Sequence, residues 1–309
     1  MINGILNVYK EAGFTSHDVV AKLRGILKQK KIGHTGTLDP DATGVLPVCL
    51  GKATKLCDLI GDWDKTYQAV LLLGKETDTE DLSGKVLRES EVEISPSEIT
   101  RILLSFVGTY DQIPPMYSAK KQKGKKLYEL ARQGIVVERK PSTVFIHHIQ
   151  ILSVNLPYVE FEVTCSKGTY IRSLCRDAGQ MAGCGGCMAS LVRTRVSDFS
   201  VKDAITLSQI ENLHLENALE GYIHPIDSVF TDYPFLTVKE EGNRLLMNGN
   251  SIPMELVLEQ TREPRKNMGL SEEMSNSYKV YDHEGHFIGL YRKSEQEGFL
   301  KPEKLFFDI

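Results

Sequence analysis

Gly33-His34-Thr35-Gly36-Thr37-Leu38-Asp39-Pro40-Asp41-Ala42-Thr43-Gly44-Val45-Leu46-Pro47 sets the carboxylate of Asp39 immediately before a proline in a glycine-rich loop. Pro40 fixes its own φ and drives Asp39 out of the helical region. Gly33, Gly36 and Gly44 permit backbone geometry and close approach that other residues resist. A carboxylate presented in this way can serve as nucleophile or base. The same residue types also build an ordinary turn. The flanks make the stretch worth more than a turn, because it joins an amphipathic helix to an apolar run.

On the upstream side, Gly4 to Tyr9 reads as a short strand and Ser16 can cap a helix from His17 to about Lys28. Val19, Val20, Leu23, Ile26 and Leu27 share one face at helical spacing. On the downstream side, Val45–Leu50 is strand-like and residues 53–61 read as a short helix. Thr66–Leu73 is β-rich, and Val86–Glu89 is expected to pair with it across the acidic connection from Thr77 to Gly84. A helix opens at Ser97, with Ile99, Ile102, Leu103, Phe106 and Val107 as its core face. Pro114-Pro115-Met116-Tyr117-Ser118 leads into a basic insertion with a short helix at Leu127–Gln133. Strands follow at about 143–154 and 159–165, then a helix at Tyr170–Ala182 and a strand at about 187–196. A boundary is expected near Thr231–Pro234. Beyond it come a short helix (Glu240–Met247), a polar loop (Gln260–Ser277) and strands Tyr278–Asp282 and Phe287–Arg292 around a His-Glu-Gly-His turn.

Length and composition bound the class. A chain of 309 residues fits two domains, and 41% hydrophobic with 25% charged residues reads as globular. No apolar run reaches the roughly 18 residues needed to span a bilayer, and the N-terminus lacks a signal-peptide pattern. The expectation is a cytoplasmic protein with no membrane partner. The six cysteines are scattered and mostly in apolar surroundings, as small core residues are. Cys184-Gly-Gly-Cys187 has metal-ligand spacing, but a structural zinc site needs a second pair and none is visible. There is no P-loop, GxGxxG, HExxH or GxSxG, so neither cofactor nor metal is expected.

The net charge of −4 argues against a wholly basic nucleic-acid binder, but the charge is unevenly distributed. From Ser118 to Lys140 eight Lys and Arg (Lys120, Lys121, Lys123, Lys125, Lys126, Arg132, Arg139, Lys140) face only Glu129 and Glu138. Lys22, Arg24, Lys28, Lys30, Lys31 and His34 form a second cluster. Such patches attract phosphate even on an acidic protein, although a solvated face is their other reading.

Further motifs gather around the loop. Cys165-Ser166-Lys167-Gly168-Thr169-Tyr170-Ile171-Arg172-Ser173-Leu174 ends a strand and starts a helix. Arg172 in the first turn opposes the helix dipole, so it calls for an acidic partner, and Asp39 is the candidate. Such a pair would keep the carboxylate ionised and aimed; otherwise Arg172 is solvated. Tyr67, in Lys65-Thr66-Tyr67-Gln68-Ala69, is either a ring for stacking on a base or a residue chosen for β propensity. In Leu191-Val192-Arg193-Thr194-Arg195, Leu191 reads as core and Arg193 and Arg195 as an exposed face. His34 alone is unremarkable.

Taken together, these elements resemble the bacterial tRNA pseudouridine-55 synthase family of the TruB type. The Gly33–Pro47 stretch is similar to its catalytic-aspartate motif. Lys65-Thr66-Tyr67, Pro114–Ala119, Lys167–Leu174 and Leu191–Arg195 look like its other motifs in the expected order. The resemblance implies an α+β pseudouridine synthase fold over residues 1–230, a mixed, largely antiparallel sheet flanked by helices, with a thumb insertion at about 115–142. It implies a small β-rich PUA pseudo-barrel over 233–309. It also implies that Asp39 is the essential aspartate, Tyr67 stacks on the target uracil, Arg172 pairs with the aspartate and His34 lies near the flipped nucleotide. Tyr170 and Leu191 would line the uridine pocket. The lysines at 120, 121, 123, 125 and 126 would meet the RNA backbone. The partner is then the tRNA T stem-loop, bound by a monomer that needs no obligate protein partner. Around Cys184–Met188 the family usually has Gly-Cys-Gly-Ala-His, and Gly-Gly-Cys-Met replaces part of it here. A non-catalytic RNA-binding module, a guide-RNA-dependent synthase and a thiol or zinc protein on Cys184 and Cys187 are the alternatives.

Overall fold

Strand β1 (Gly4–Lys10) enters the molecule as an almost wholly buried segment, and the helix that follows is defined by its cap. Helix α1 spans Ser16–Leu27. Its cap is Thr15 and not the expected Ser16: Thr15 Oγ1 accepts from the Asp18 N–H at 3.1 Å, and Asp18 accepts from the Thr15 N–H at 2.8 Å. That reciprocal box satisfies two otherwise orphaned donors. Ser16 is released for another task, accepting from the Leu38 N–H at 2.9 Å and so pinning the loop before Asp39. The computed structural model describes residues 1–122, 124–260, 277–294 and 298–307. Lys123 and most of the expected polar loop from 260 to 277 lie outside the described residues.

The chain continues through β2 (Ile32–His34), β3 (Thr43–Leu50), α2 (Cys57–Gly61), β4 (Lys65–Leu73), β5 (Lys75–Thr77), β6 (Val86–Glu89) and α3 (Pro96–Leu104). It then forms β7 (Gly108–Gln112), the short β8 (Lys121–Gln122) and β9 (Lys125–Lys126), and α4 (Leu127–Arg132). The long β10 (Ser142–Asn155) and β11 (Tyr158–Cys165) lead to α5 (Ile171–Met181) and β12 (Gly186–Val196). After β13 (Phe199–Ser200) come α6 (Leu207–Leu215) and β14 (Ile223–His224). Among the described residues β5-β6 and β8-β9 form two separate two-stranded sheets, while the other ten of these strands build one sheet with the central order β14-β1-β3-β12-β4-β11-β10-β7, with β2 on β3 and β13 on β12. Only β3 and β12 run parallel within it; every other pairing is antiparallel. This is the mixed, largely antiparallel sheet expected.

Both faces of β1 and β3 are covered, which explains why apolar residues occupy both faces of each strand. Leu6, Val8, Leu46 and Val48 pack with the Val19, Val20 and Leu23 face of α1 and with Ile210 of α6. Ile5, Val45 and Cys49, of opposite parity, pack with Leu56, Phe230 and Phe306. Around β4 and β11 a third cluster joins Leu71, Phe161 and Val163 to Ile99 and Leu103 of α3 and Leu174 and Ala178 of α5.

Three expectations are corrected here. Val86–Glu89 pairs with β5, not with the Thr66–Leu73 strand. Both edges of β4 are already taken by β11 and β12, and the chain turns away at Gly74, whose φ is +81°. Val107 is exposed, because α3 starts from a Ser95 cap with Pro96 at its first turn and ends at Leu104. Arg193 is fully buried. Strand period two puts positions 191, 193 and 195 on one face, so the face that carries Leu191 also carries Arg193. A register shift between Arg193 and Arg195 then releases Arg195 to solvent.

Past Pro234 the chain forms β15 (Phe235–Val238), α7 (Asn243–Met247), β16 (Ile252–Pro253), β17 (Val257–Gln260), β18 (Ser277–Tyr281), β19 (Phe287–Lys293) and β20 (Phe299–Leu305). These strands form a second, six-stranded sheet in the order β16-β20-β19-β18-β15-β17, a near-closed pseudo-barrel around Val238, Leu246, Val280 and Tyr291. Leu290 and Phe306 carry it onto the ten-stranded sheet, and Lys55 donates to the Leu305 carbonyl at 2.7 Å. No described helix is long and apolar enough to cross a membrane.

Candidate active site

The loop between β2 and β3 is fixed by cations and backbone groups that reach it from distant segments. Lys10, at the end of β1, has no exposed surface. Its ammonium donates to the carbonyls of Phe14 at 2.6 Å, Pro40 at 2.9 Å and Glu11 at 3.1 Å. Burial pushes its pKa down to about 8, against the pull of Asp39 and Asp41. The Gly13 N–H also meets the Pro40 carbonyl, and Ala42 N–H closes a turn on the Asp39 carbonyl. Arg193 comes from the other side, donating from Nε to Val45 O at 2.7 Å and from Nη2 to Gly36 O at 3.4 Å. Gly44 lies against the same arginine with φ +105°. A Cβ there would sit 2.2 Å from the Arg193 carbonyl oxygen, so only glycine fits. Gly44→Ala is therefore expected to cost about 1–3 kcal/mol in chemical denaturation. Wild-type stability in that variant would show that the loop yields.

Asp39, held at the tip of this loop, meets Arg172. Arg172 Nη2 donates to Oδ1 at 2.9 Å and Nε lies 2.9 Å from Oδ2, a bidentate pair. The Asp39 side chain keeps 36% of its surface exposed while Arg172 keeps 5%, so the carboxylate is open on the side away from the guanidinium. Arg172 is not solvated. It also donates to Thr79 O at 3.0 Å and Tyr117 O at 2.9 Å, and lies 3.6 Å from Asp81. The pair aims the carboxylate as expected, but the charge balance differs from expectation. Desolvation is the largest influence on Asp39 and pushes its carboxyl above the usual range, with Asp81 adding to it, while Arg172 and Lys10 pull down. The carboxylate is thus more basic than that of an exposed aspartate.

Tyr67 on β4 stands opposite Arg193 in the register, where the guanidinium pulls against the rise in its phenol pKa. It is buried in the same cluster as Leu38, Ala42, Ile171 and Leu191. Burial pushes its phenol up, so it stays neutral. Tyr170 caps α5, and its backbone is clamped by Gln112, which accepts from Tyr170 N–H at 2.7 Å and donates to Tyr170 O at 2.9 Å. His34 ends β2, edge-on to His17 with ring centroids 5.1 Å apart. Burial, then His17 and Arg193, push its pKa down to about 4, so it is neutral at neutral pH. Its Nδ1 is buried with no hydrogen-bond partner.

Sequence reasoning missed Lys10, Arg193 and the acidic connection from Thr77 to Gly84. That connection folds inward. Glu80 is buried, with φ +66°, and accepts from Ser173 Oγ at 2.6 Å and from Arg176. Arg139 of the basic insertion lies 3.8 Å from Glu80 and donates to the Pro114 carbonyl at 2.9 Å, tying the insertion's base to the site. Thr-Asp-Thr-Glu-Asp, with hydroxyls placed to bond carboxylates, was the available signal. Cys49, Cys165, Cys175, Cys184 and Cys187 are buried free thiols and Cys57 is half-buried. Among the described residues, no metal-ligating cluster includes Cys184 or Cys187.

The fold and the loop-held carboxylate define the class. Residues 24–171 match the model of the TruB family pseudouridylate synthase N-terminal domain, and residues 172–231 that of the tRNA pseudouridylate synthase B C-terminal domain. The chain belongs to the TruB family of pseudouridylate synthases. It is 51% identical to tRNA pseudouridine synthase B of Lachnoclostridium phytofermentans, over 99% of this chain and 100% of that one. It is 51% identical to the protein of that name from Alkaliphilus oremlandii, over 85% and 87% of the two chains. Among solved structures, a Cbf5-Nop10-Gar1 complex matches with TM-score 0.70 and 25% identity, over 98% of this chain and 85% of that one.

Proposed function

We propose that this chain isomerises the T-loop uridine of tRNA to pseudouridine, with Asp39 as the group that acts on the flipped-out nucleotide. One observation carries the assignment: a carboxylate locked on one side by Arg172 and open on the other. The reaction breaks the uracil N1–C1′ bond, turns the base, joins C5 to C1′, releases the C5 proton and protonates N1. It is an isomerisation, so it consumes no energy source and no redox partner. It needs one ionised group that can attack or take a proton inside a shielded pocket, and Asp39 supplies it. Extruding the uridine costs a few kcal/mol of unstacking. Tyr67 is the ring that would receive the base, returning about 1–3 kcal/mol. Leu191 and Tyr170 complete the apolar wall, and neutral His34 offers a hydrogen bond near the nucleotide.

The division of labour proposed is a catalytic unit over residues 1–230 and an RNA-binding unit over 233–309, working as a monomer in the cytoplasm without an obligate protein partner. The basic thumb is the grip. In its β8–β9 hairpin Lys121 pairs directly with Lys126. Like charges placed opposite each other destabilise a hairpin until an anion arrives. Replacing Lys120, Lys121, Lys125 and Lys126 by Gln is expected to weaken tRNA binding and flatten its salt dependence, each lost phosphate contact removing about 0.7–0.9 from the log–log slope. Filter binding across a salt series reads this. An unchanged slope would remove the thumb from RNA contact. Mapping the pseudouridine formed by the purified chain on whole tRNA tests the assignment; product outside the T loop would overturn it.

A further inference from the structure

Two thiols that the proposed reaction does not use stand face to face at the junction of the two sheets. Cys49 lies on β3, directly opposite Gly33 of β2 in the antiparallel register. Cross-strand neighbours project to the same side of a sheet, with Cβ positions about 4.5–5.5 Å apart. The space where a side chain at Gly33 would stand is filled by Cys57: its Sγ lies 3.0 Å from the position of a Cβ built there. Gly33 thus leaves room for the Cys57 sulfur beside the Cys49 side chain. Both side chains therefore fill the same space beside Gly33, and each thiol shifts the pKa of the other, raising Cys49 and lowering Cys57. Cys49 is wholly buried and Cys57 is half-buried, packed on the cluster that joins Ile5 and Val45 to Phe230, Leu290 and Phe306.

We propose that Cys49 and Cys57 form a redox-active dithiol site that low-molecular-weight disulfides convert to an intramolecular bridge. The accessible member attacks first. The Cys57 thiolate displaces one thiolate from the small disulfide and becomes a mixed disulfide. Cys49 then attacks the Cys57 sulfur and releases the second small thiol. Two protein thiols lose two electrons and two protons, and one small disulfide becomes two thiols. The contact favours this order. Cys49 pulls Cys57 below the ordinary thiol range against burial and Asp58, with Lys304 assisting, whereas Cys57 and then burial push Cys49 up. The bridge would fasten β3 to α2 behind Gly33, the residue that precedes His34. Cys175 and Cys187 are also near one another but both are fully buried, beyond the reach of a small disulfide.

The test uses the full-length folded protein, oxidised glutathione as oxidant, and alkylation followed by intact-mass and peptide mass spectrometry. The reduced chain presents six alkylatable cysteines after denaturation. After oxidation the wild type is expected to lose two of the six, with the peptides of Cys49 and Cys57 joined, and to regain both on adding dithiothreitol. Cys57→Ser and Cys49→Ser are each expected to keep all their remaining thiols free of protein disulfide. Cys49→Ser should hold glutathione on Cys57, because the resolving thiol is gone. Six free thiols in oxidised wild type, or a bridge between any other two cysteines while circular dichroism stays native, would overturn the proposal.

Discussion

Asp39→Asn is expected to lose turnover by at least about 10⁴-fold while binding tRNA near the wild-type level. The amide is nearly isosteric, so the loop keeps its Ser16, Lys10 and Gly13 anchors, none of which touches the side chain. Arg172 keeps Asp81 at 3.6 Å and the carbonyls of Thr79 and Tyr117, so its charge is not stranded. What is lost is the negative charge on the open side, the one feature that an amide cannot reproduce. Single-turnover assays would read the chemistry, and filter binding the affinity. A parallel fall in both would mean that Asp39 organises the pocket instead of reacting in it.

Arg172→Lys is expected to lower kcat by about 10²-fold or more and to move the acid limb of the pH–rate profile to higher pH. Lysine keeps a positive charge but cannot span both carboxylate oxygens, and a misplaced reacting group of this kind costs about 10²-fold. The pH effect follows from the balance at Asp39. Burial already raises its pKa and Arg172 opposes that rise. The reaction uses the ionised form, so activity falls as pH drops through the pKa of the folded protein. Weakening the opposing charge raises that pKa further, and the loss begins at higher pH. A kcat–pH series on both proteins measures it. An acid limb unmoved by the substitution would place the titration on another group, and His34, whose pKa lies near 4, is the next to examine.

Much of this site was legible because its signals are local. The apolar stripe of α1, the strands β10 and β11, and the glycine-framed aspartate each sit within a few residues, although the helix caps lie one or two residues from their expected places. The Arg172–Asp39 pair was legible for a different reason: an arginine in the first turn of a helix is unfavourable without a partner. The misses share one physical cause. Arg193 read as exposed, and Lys10 fell just past the expected end of its strand with no role assigned, because a lysine or arginine in a strand is usually solvated. They are buried because carbonyls from Phe14, Pro40, Gly36 and Val45 converge on them, and no local window contains that convergence. Glu80 is similar: a charged connection reads as a surface loop until Ser173 and Arg176 of α5 reach it. Cys49 and Cys57 are only eight positions apart, yet they meet through Gly33 on a third segment.

The most direct measurement is tritium release from C5-labelled uridine in a T stem-loop minihelix, using the purified chain with no other protein present. Joining C5 to C1′ expels the C5 hydrogen, so binding alone releases none. The expected result is stoichiometric release by the wild type and none by Asp39→Asn at equal RNA occupancy. Release by Asp39→Asn at the wild-type rate, or no release by a wild type that binds the minihelix, would contradict the assignment of Asp39 as the reacting group.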